Sequence, residues 1–187
     1  MPAGAIHLCD AQFSLGRPRR FYRGRLKRVP SVTDNLTIRP LKAEDAADLS
    51  SLLSGQSPAY MRFFTPFNFD YPSIANLLAE QGTDVFMGMY WQERLIGFFM
   101  LRGWNSGYEI PSYGVLIDEK YSGYGLTRLS LKLAKSICKL RRVHRIMLKV
   151  NTHNLIAKRL FEEAGFNQTG VDPQTGNLIY HFDFRHH

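Results

Sequence analysis

The sequence predicts a single mixed α/β domain, and three observations lead to this prediction. Short runs of alternating apolar and polar residues, typical of strands, recur from residue 36 to residue 184. Longer segments with apolar residues at helical spacing lie between them. In the second half, a long amphipathic segment connects two strand-like runs, and such a crossover requires the two strands to run parallel. A chain of 187 residues is long enough for one such domain with a sizeable core.

The first half of the chain is predicted to contribute three strands and two helices. The alternating run at residues 36–40 predicts a strand, and the spacing of apolar residues over 43–53 predicts a helix. A short helix is predicted at residues 73–80, after an aromatic segment that prolines interrupt. Residues 85–91 and 95–104 predict two antiparallel strands joined by a tight turn.

The second half is predicted to form the strand–helix–strand unit and to end in a hairpin. Residues 111–118 and 146–150 predict the fourth and fifth strands. The helix between them has a predicted core-facing side made of Leu126, Leu129, Leu133, Ala134, Ile137 and Leu140. A last helix at 157–164 is closed by Gly165, and strands at 166–171 and 178–184 complete the sheet.

The composition excludes several classes of protein. A hydrophobic content of 44% is typical of a globular chain, and no apolar run approaches the roughly 20 residues that span a bilayer. Residues 1–30 lack the apolar region of a secretory signal, and the two cysteines, Cys9 and Cys138, make neither a disulfide framework nor a metal set. We therefore expect a cytoplasmic protein with no membrane span and no metal.

The positive charge is concentrated near the start of the chain. The net charge is +8, and a run without acidic residues over 17–28 contains Arg17, Arg19, Arg20, Arg23, Arg25, Lys27 and Arg28. We interpret residues 1–35 as a basic extension outside the domain at 36–187, most simply a solvated terminus. Because Phe21 and Tyr22 interleave with the cations, binding to nucleic acid or to an acidic surface is the alternative.

A glycine-rich turn at residues 121–127 joins the fourth predicted strand to the long helix. Gly123 and Gly125 let the backbone approach a bulky group, and the helix start behind them offers unpaired N–H groups and the positive end of its dipole. This arrangement is typical of a pyrophosphate cradle. Such a turn is a weak signal alone, since glycines often only end a strand.

A second motif about thirty residues further on strengthens the interpretation. Together the two segments resemble the signature motifs of the GNAT superfamily of acetyl-CoA-dependent N-acetyltransferases. The first motif matches at Gly123 and Gly125, with Ser122 and Thr127 as departures from the usual residues. The second matches at Asn154, Ala157, Leu160, Gly165 and Phe166, with Phe161 in place of the usual tyrosine.

The resemblance implies both a fold and a co-substrate. It implies a mixed, mostly antiparallel sheet of about seven strands, with a splayed parallel pair formed by the fourth and fifth strands, and about four helices. Acetyl-CoA would enter the gap between these two strands. The residues that would bind it are Val115, Leu116, Ile117, Ser122, Gly123, Tyr124, Gly125, Leu126, Thr127, Asn154, Lys158 and Phe161.

Acetyl transfer also needs an oxyanion donor, a base and an acid. The resemblance places the donor at a backbone N–H of the fourth strand, Leu116 or Ile117. Glu109 is the first candidate for the base, and His153 is the second. Because Phe161 cannot protonate the leaving thiolate, three explanations stay open. Water supplies the proton, another hydroxyl such as Tyr113 or Ser112 does so, or the chain binds acyl-CoA without efficient turnover.

The acceptor site is expected in two variable segments, residues 60–71 and 104–113. Their aromatic residues predict an apolar pocket lined by Phe63, Phe64, Phe67, Trp104 and Tyr108, unless these side chains serve the core or a homodimer contact. A small amine, such as a nucleotide-linked amino sugar, is the first hypothesis for the acceptor. A protein N-terminus or lysine is the second, and a non-catalytic acyl-CoA-binding module with a basic tail is the third.

Overall fold

The computed structural model describes residues 35–184. The predicted basic run at residues 17–28, with its proposed contact to nucleic acid, therefore lies outside the described residues, as does Cys9. The boundary between a terminal extension and the domain near residue 35 stays a prediction.

Strands and helices alternate in nearly the predicted order. The strands are β1 (Leu36–Pro40), β2 (Val85–Trp91), β3 (Arg94–Arg102), β4 (Ser112–Ile117), β5 (Arg145–Val150), β6 (Asn167–Val171) and β7 (Leu178–Asp183). The helices are α1 (Ala46–Ser54), α2 (Pro58–Met61), α3 (Tyr71–Ala79), α4 (Leu126–Leu140) and α5 (Leu155–Glu163). Short 3₁₀ helices lie at Ala43–Asp45, Trp104–Ser106 and Glu119–Tyr121. None of the helices between residues 35 and 184 is long and apolar enough to cross a membrane.

The predicted fold class is confirmed. Residues 35–184 form one seven-stranded sheet in the order β1-β2-β3-β4-β5-β7-β6, and every neighbouring pair is antiparallel except β4 and β5. The helix that the sequence did not predict is α2, a single turn at the start of the aromatic segment. Ser57 caps this turn by accepting a hydrogen bond from the Tyr60 N–H, and Pro58 occupies its first position.

The sheet separates two cores. One contains α4 and α5, which pack against alternate side chains of β4 such as Tyr113 and Ile117. The other contains α1 and α3, which pack against the opposite face, where Leu116 points. The prediction that Leu140 faces the core is wrong, because this side chain is 85% exposed at the end of α4.

The parallel pair β4 and β5 separates almost as soon as it forms. Ser112 and Met147 are the partners in the register of these two strands, and the Met147 N–H donates to the Pro111 carbonyl at 3.0 Å. Beyond this point β4 continues along β3 alone, up to Ile117. The edge of β4 that faces β5 is therefore left open for most of its length.

Candidate active site

A large cleft opens where β4 and β5 diverge. Its volume is about 1250 Å³, and its walls come from β4, β5, the glycine turn and the start of α5. Further wall residues come from two segments on the other side of the gap, 59–66 and 100–110. The cleft thus brings together the predicted cofactor motifs and parts of both predicted acceptor segments.

Two hydrogen bonds show which backbone groups of this edge face the gap. At one end, the Pro111 carbonyl accepts from the Met147 N–H of β5. At the other end, the Tyr60 hydroxyl donates to the Ile117 carbonyl at 2.9 Å. Positions 111 and 117 therefore direct their backbone groups away from β3 and toward the gap.

The intervening positions follow from the alternation of antiparallel pairing. The Asp118 N–H donates to the Ile96 carbonyl at 2.7 Å, so position 118 faces β3 and position 117 does not. With no irregularity in the β3–β4 register, Val115 shares the orientation of Ile117, whereas Leu116 directs its amide to β3. Of the three predicted backbone contacts, the N–H and carbonyl of Val115 and the N–H of Ile117 are open to the gap, whereas the Ile117 carbonyl already accepts from Tyr60.

The glycine turn has the backbone that the sequence suggested. Gly123 and Gly125 have φ of 88° and 77°, the left-handed region that glycine adopts most easily. A Cβ atom at either position would meet no protein atom within 4 Å. Gly125 is the N-cap of α4, and no side chain caps this helix end. The first N–H groups of α4 are thus left for an outside acceptor.

The other residues of the turn differ in their positions. Ser122, Leu126 and Thr127 line the cleft. Tyr124 lies outside its lining and is 77% exposed, with its ring 6.4 Å from that of Tyr121. The predicted contact of Tyr124 with the cofactor would have to come from its backbone or from a different side-chain position.

The start of α5 forms the facing wall. Asn154 caps the helix by accepting from the Ala157 N–H at 3.1 Å, and it also lines the cleft. This cap uses the Asn154 carbonyl oxygen and leaves its amide NH₂ as a donor. Phe161 lines the cleft but is 7% exposed and packs edge-on against Tyr113 and Phe166. Lys158 is half-buried and lies outside the lining.

The candidate acids, Ser112 and Tyr113, are the first two residues of β4. The Tyr113 hydroxyl is 2.7 Å from the Ser130 Oγ, which in turn donates to the Thr127 carbonyl at 2.9 Å. Since Ser130 uses its proton in that bond, Tyr113 donates its own proton to Ser130. Burial raises the pKa of Tyr113 above its ordinary value. Ser112 is half-buried and lines the cleft.

The two candidate bases are both exposed. Glu109 lies in the turn before β4 and outside the cleft lining. His153 lines the cleft just before α5, and its backbone N–H donates to Asn151 Oδ1 at 3.0 Å. No group of three or more His, Cys, Asp or Glu residues within 35–184 is placed to hold a metal ion.

The predicted acceptor aromatics divide into two groups. Phe63, Phe64 and Tyr108 line the cleft. Phe67 instead packs near Phe69 and Phe98, with ring centroids 6.1 and 6.4 Å away. Trp104 is also outside the lining, and the Arg141 guanidinium lies 4.4 Å from the centre of its ring.

Sequence reasoning missed three side chains of this cleft. Tyr60 was expected only as part of the acceptor segment at residues 60–71, although its hydroxyl reaches Ile117 across 57 positions of sequence. Arg62 and Arg102 also line the cleft, and neither belongs to a motif. The aromatic composition of residues 60–71 was the one signal that pointed to this segment.

Comparison with known proteins identifies the relatives of this domain. Residues 49–166 match the model of the acetyltransferase (GNAT) family. No curated protein matches the chain by sequence.

Solved structures share the fold at low sequence identity. PaiA N-acetyltransferase of Thermoplasma acidophilum in complex with coenzyme A superposes with a TM-score of 0.68 at 16% identity, covering 80% of this chain and 99% of that one. RimJ of Mycobacterium smegmatis, in complex with CoA-disulfide, gives 0.64 at 17% identity, covering 79% and 81%. RimL, a ribosomal alpha-N-protein acetyltransferase in complex with coenzyme A, gives 0.66 at 15% identity, covering 81% and 96%.

Proposed function

Because this chain belongs to the GNAT family of acetyltransferases, we propose that it moves an acetyl group from acetyl-CoA to the primary amine of a small acceptor. The single observation that carries the proposal is the gap between β4 and β5, which opens beside an uncapped glycine turn. Membership in a family of acyltransferases favours an enzyme over the non-catalytic module considered above.

Two parts of the cleft suit two parts of the donor, acetyl-CoA. The turn at Gly123 and Gly125 has free space above its backbone and unpaired helix N–H groups, which suit a pyrophosphate. The backbone groups of Val115 and the N–H of Ile117 suit the amide groups of an extended pantetheine arm. The NH₂ group of Asn154 adds a donor on the facing wall.

The reaction needs only direct attack. The neutral amine forms a C–N bond to the thioester carbonyl carbon, the C–S bond breaks, and one proton passes overall from the amine to the sulfur. Negative charge develops on the carbonyl oxygen on the way. A fixed backbone N–H stabilises such a charge without reorganisation, and the register favours Val115 or Ile117 over Leu116 as its source.

The proton for the leaving thiolate has two proposed sources. Water is the simpler one, because a thiolate is a good leaving group with a modest pKa. Tyr113 is the other, since it lines the cleft with its ring 6.2 Å from that of Phe161, and its hydroxyl would have to turn from Ser130 to reach the thiolate. Phe161 itself we assign to packing.

Two residues are candidates for the base. His153 lines the cleft and is a candidate in its present position. Glu109 would act through water or after movement of the turn that contains it, because it lies outside the lining. A second candidate function, acetylation of a protein N-terminus, draws support from the structural likeness to RimL, a ribosomal alpha-N-protein acetyltransferase.

The test is acceptor-dependent release of thiol from acetyl-CoA. Small amines, amino sugars and short peptides with free N-termini are compared at equal concentration, and the acetylated product is identified by mass. Transfer to a small amine supports the first function. Transfer to peptides alone supports the second.

A further inference from the structure

The cleft contains two arginines that have no carboxylate partner among residues 35–184. Arg62 and Arg102 both line the cleft. No carboxylate oxygen of residues 35–184 lies within 4.0 Å of either guanidinium. Two unpaired guanidinium groups in one concave surface form a site that suits an anion.

The other cations of the cleft wall are already paired. Arg128 donates to Glu163 at 2.7 Å, and Lys149 donates to Asp172 at the same distance. The one carboxylate in the lining, Asp84, accepts the backbone N–H groups of Gly103 and Asn105 and so fixes the turn after β3. Asp84 forms no ion pair within 4.0 Å with either arginine.

Both guanidinium groups lie against aromatic rings. The Arg62 guanidinium carbon is 4.4 Å from the centre of the Phe63 ring, and that of Arg102 is 5.7 Å from the centre of the Phe67 ring. Such contacts steady the planar group while its N–H edges stay available for hydrogen bonds. A steadied guanidinium loses less side-chain entropy when it binds a carboxylate or phosphate.

The backbone of Arg102 lies far from the glycine turn that suits the pyrophosphate. Arg102 pairs with Ser112, the first residue of β4, whereas the turn follows the last residue, Ile117. Five steps along a strand of about 3.3 Å each separate these two positions by about 17 Å. Arg102 thus marks the end of the cleft away from the glycine turn, and Arg62 lines the same cleft from the predicted acceptor segment at 60–71.

We propose that the acceptor carries a carboxylate or phosphate group close to its amine and that Arg102, together with Arg62, binds this group. The inference rests on the proposed acetyl transfer and specifies its substrate class. It agrees with the nucleotide-linked amino sugar of the first hypothesis, whose diphosphate is anionic. A free lysine side chain in a basic peptide would instead meet uncompensated positive charge.

The test compares amines that differ in the anionic group alone. Ethanolamine, β-alanine and 2-aminoethyl phosphate share a two-carbon amine, and glucosamine and its 6-phosphate form a second pair. We expect kcat/KM to be at least tenfold higher for an anionic member than for its neutral partner. The preferred member tells carboxylate from phosphate. Neutral members that react equally well would overturn the proposal, although the enzyme would still be an acetyltransferase.

Variants tie the preference to the two arginines. The quantity compared is the anionic preference, the ratio of kcat/KM for an anionic amine to that for its neutral partner. In Arg102→Met this ratio should fall to within threefold of unity, and in Arg62→Met it should decrease. Arg102→Lys, which keeps the charge, should retain part of the preference that Arg102→Met loses. Arg142, an exposed residue beyond α4, provides the matched control, because Arg142→Met removes the same charge outside the cleft lining. A preference that survives in both Arg102→Met and Arg62→Met contradicts the proposal.

Binding supplies a second readout for amines that are not acetylated. With the protein saturated by CoA, 2-aminoethyl phosphate should raise the melting temperature more than ethanolamine does, and Arg102→Met should abolish this difference. An equal effect of the two compounds on the wild-type protein would overturn the proposal without bearing on acetyl transfer itself.

Discussion

Replacement of Gly125 by alanine separates ligand binding from backbone strain. The added Cβ meets no protein atom within 4 Å, so it causes no clash within the protein. With φ at 77° and ψ at 4°, the alanine adopts the left-handed conformation, which costs roughly 1–2 kcal/mol. For a domain of this size we expect the melting temperature to fall by about 2–8 °C.

The same methyl group occupies the space above the turn where a phosphate must approach the backbone N–H groups. Loss of one hydrogen bond to a charged group is worth about 1.5–3 kcal/mol. At about 1.4 kcal/mol per decade, the Kd for acetyl-CoA should rise roughly 10-fold to 150-fold. Isothermal titration calorimetry measures this change directly.

Gly107 provides the control for strain. Its backbone, with φ at 81° and ψ at 9°, nearly matches that of Gly125, and a Cβ there also meets nothing within 4 Å. Gly107→Ala should therefore lower the melting temperature by a similar amount and leave the Kd for acetyl-CoA unchanged. A Gly125→Ala protein that binds acetyl-CoA within twofold of the wild type would refute the pyrophosphate cradle.

Three further predictions test the rest of the site. Phe161→Tyr should change kcat by less than about threefold, because water or another hydroxyl already protonates the thiolate. A general acid typically contributes roughly 100-fold or more to kcat, and a gain of that size would show that the wild-type protein lacks one. Tyr60→Phe leaves the Ile117 carbonyl without its hydrogen-bond donor, so the free energy of unfolding should fall by about 1–3 kcal/mol and KM for acetyl-CoA should rise. If both values stay unchanged, the Tyr60 hydroxyl does not support β4 in this way. The hydrogen bond from Lys149 holds the pKa of Asp172 at about 2, so the stability that Asp172 contributes is present above pH 4 and is lost as pH falls toward 2. The difference in stability between the wild type and Asp172→Asn, measured by urea unfolding, should therefore shrink over this range, and a constant difference would contradict it.

Local patterns made much of the fold predictable. The glycine turn followed by the apolar periodicity of α4 requires a strand–helix–strand crossover, and this unit alone implies the parallel pair β4 and β5. The motif from Asn154 to Phe166 is equally local, since its N-cap and its closing Gly165 lie within one helix. Such features depend on neighbouring residues and can be interpreted without the rest of the chain.

The remaining features depend on contacts between distant segments. Nothing near Tyr60 indicates that its hydroxyl lies against β4, because Ile117 is 57 positions away. The orientation of the Leu116 amide follows from the pairing of β4 with β3, and an offset of one residue would have exchanged the roles of Leu116 and Ile117. In the sequence, Arg102 is an ordinary charged residue at the end of a strand. Only the structure shows that it has no carboxylate partner among residues 35–184.

Thiol release from acetyl-CoA in the presence of an amine tests the central claim most directly. The wild-type protein should release thiol only when an acceptor is added, in amounts equal to the acetylated amine detected by mass, and Gly125→Ala should need more acetyl-CoA to reach the same rate. Tight binding of acetyl-CoA with no acceptor-dependent release, across small amines and peptides alike, would contradict the proposed acetyl transfer.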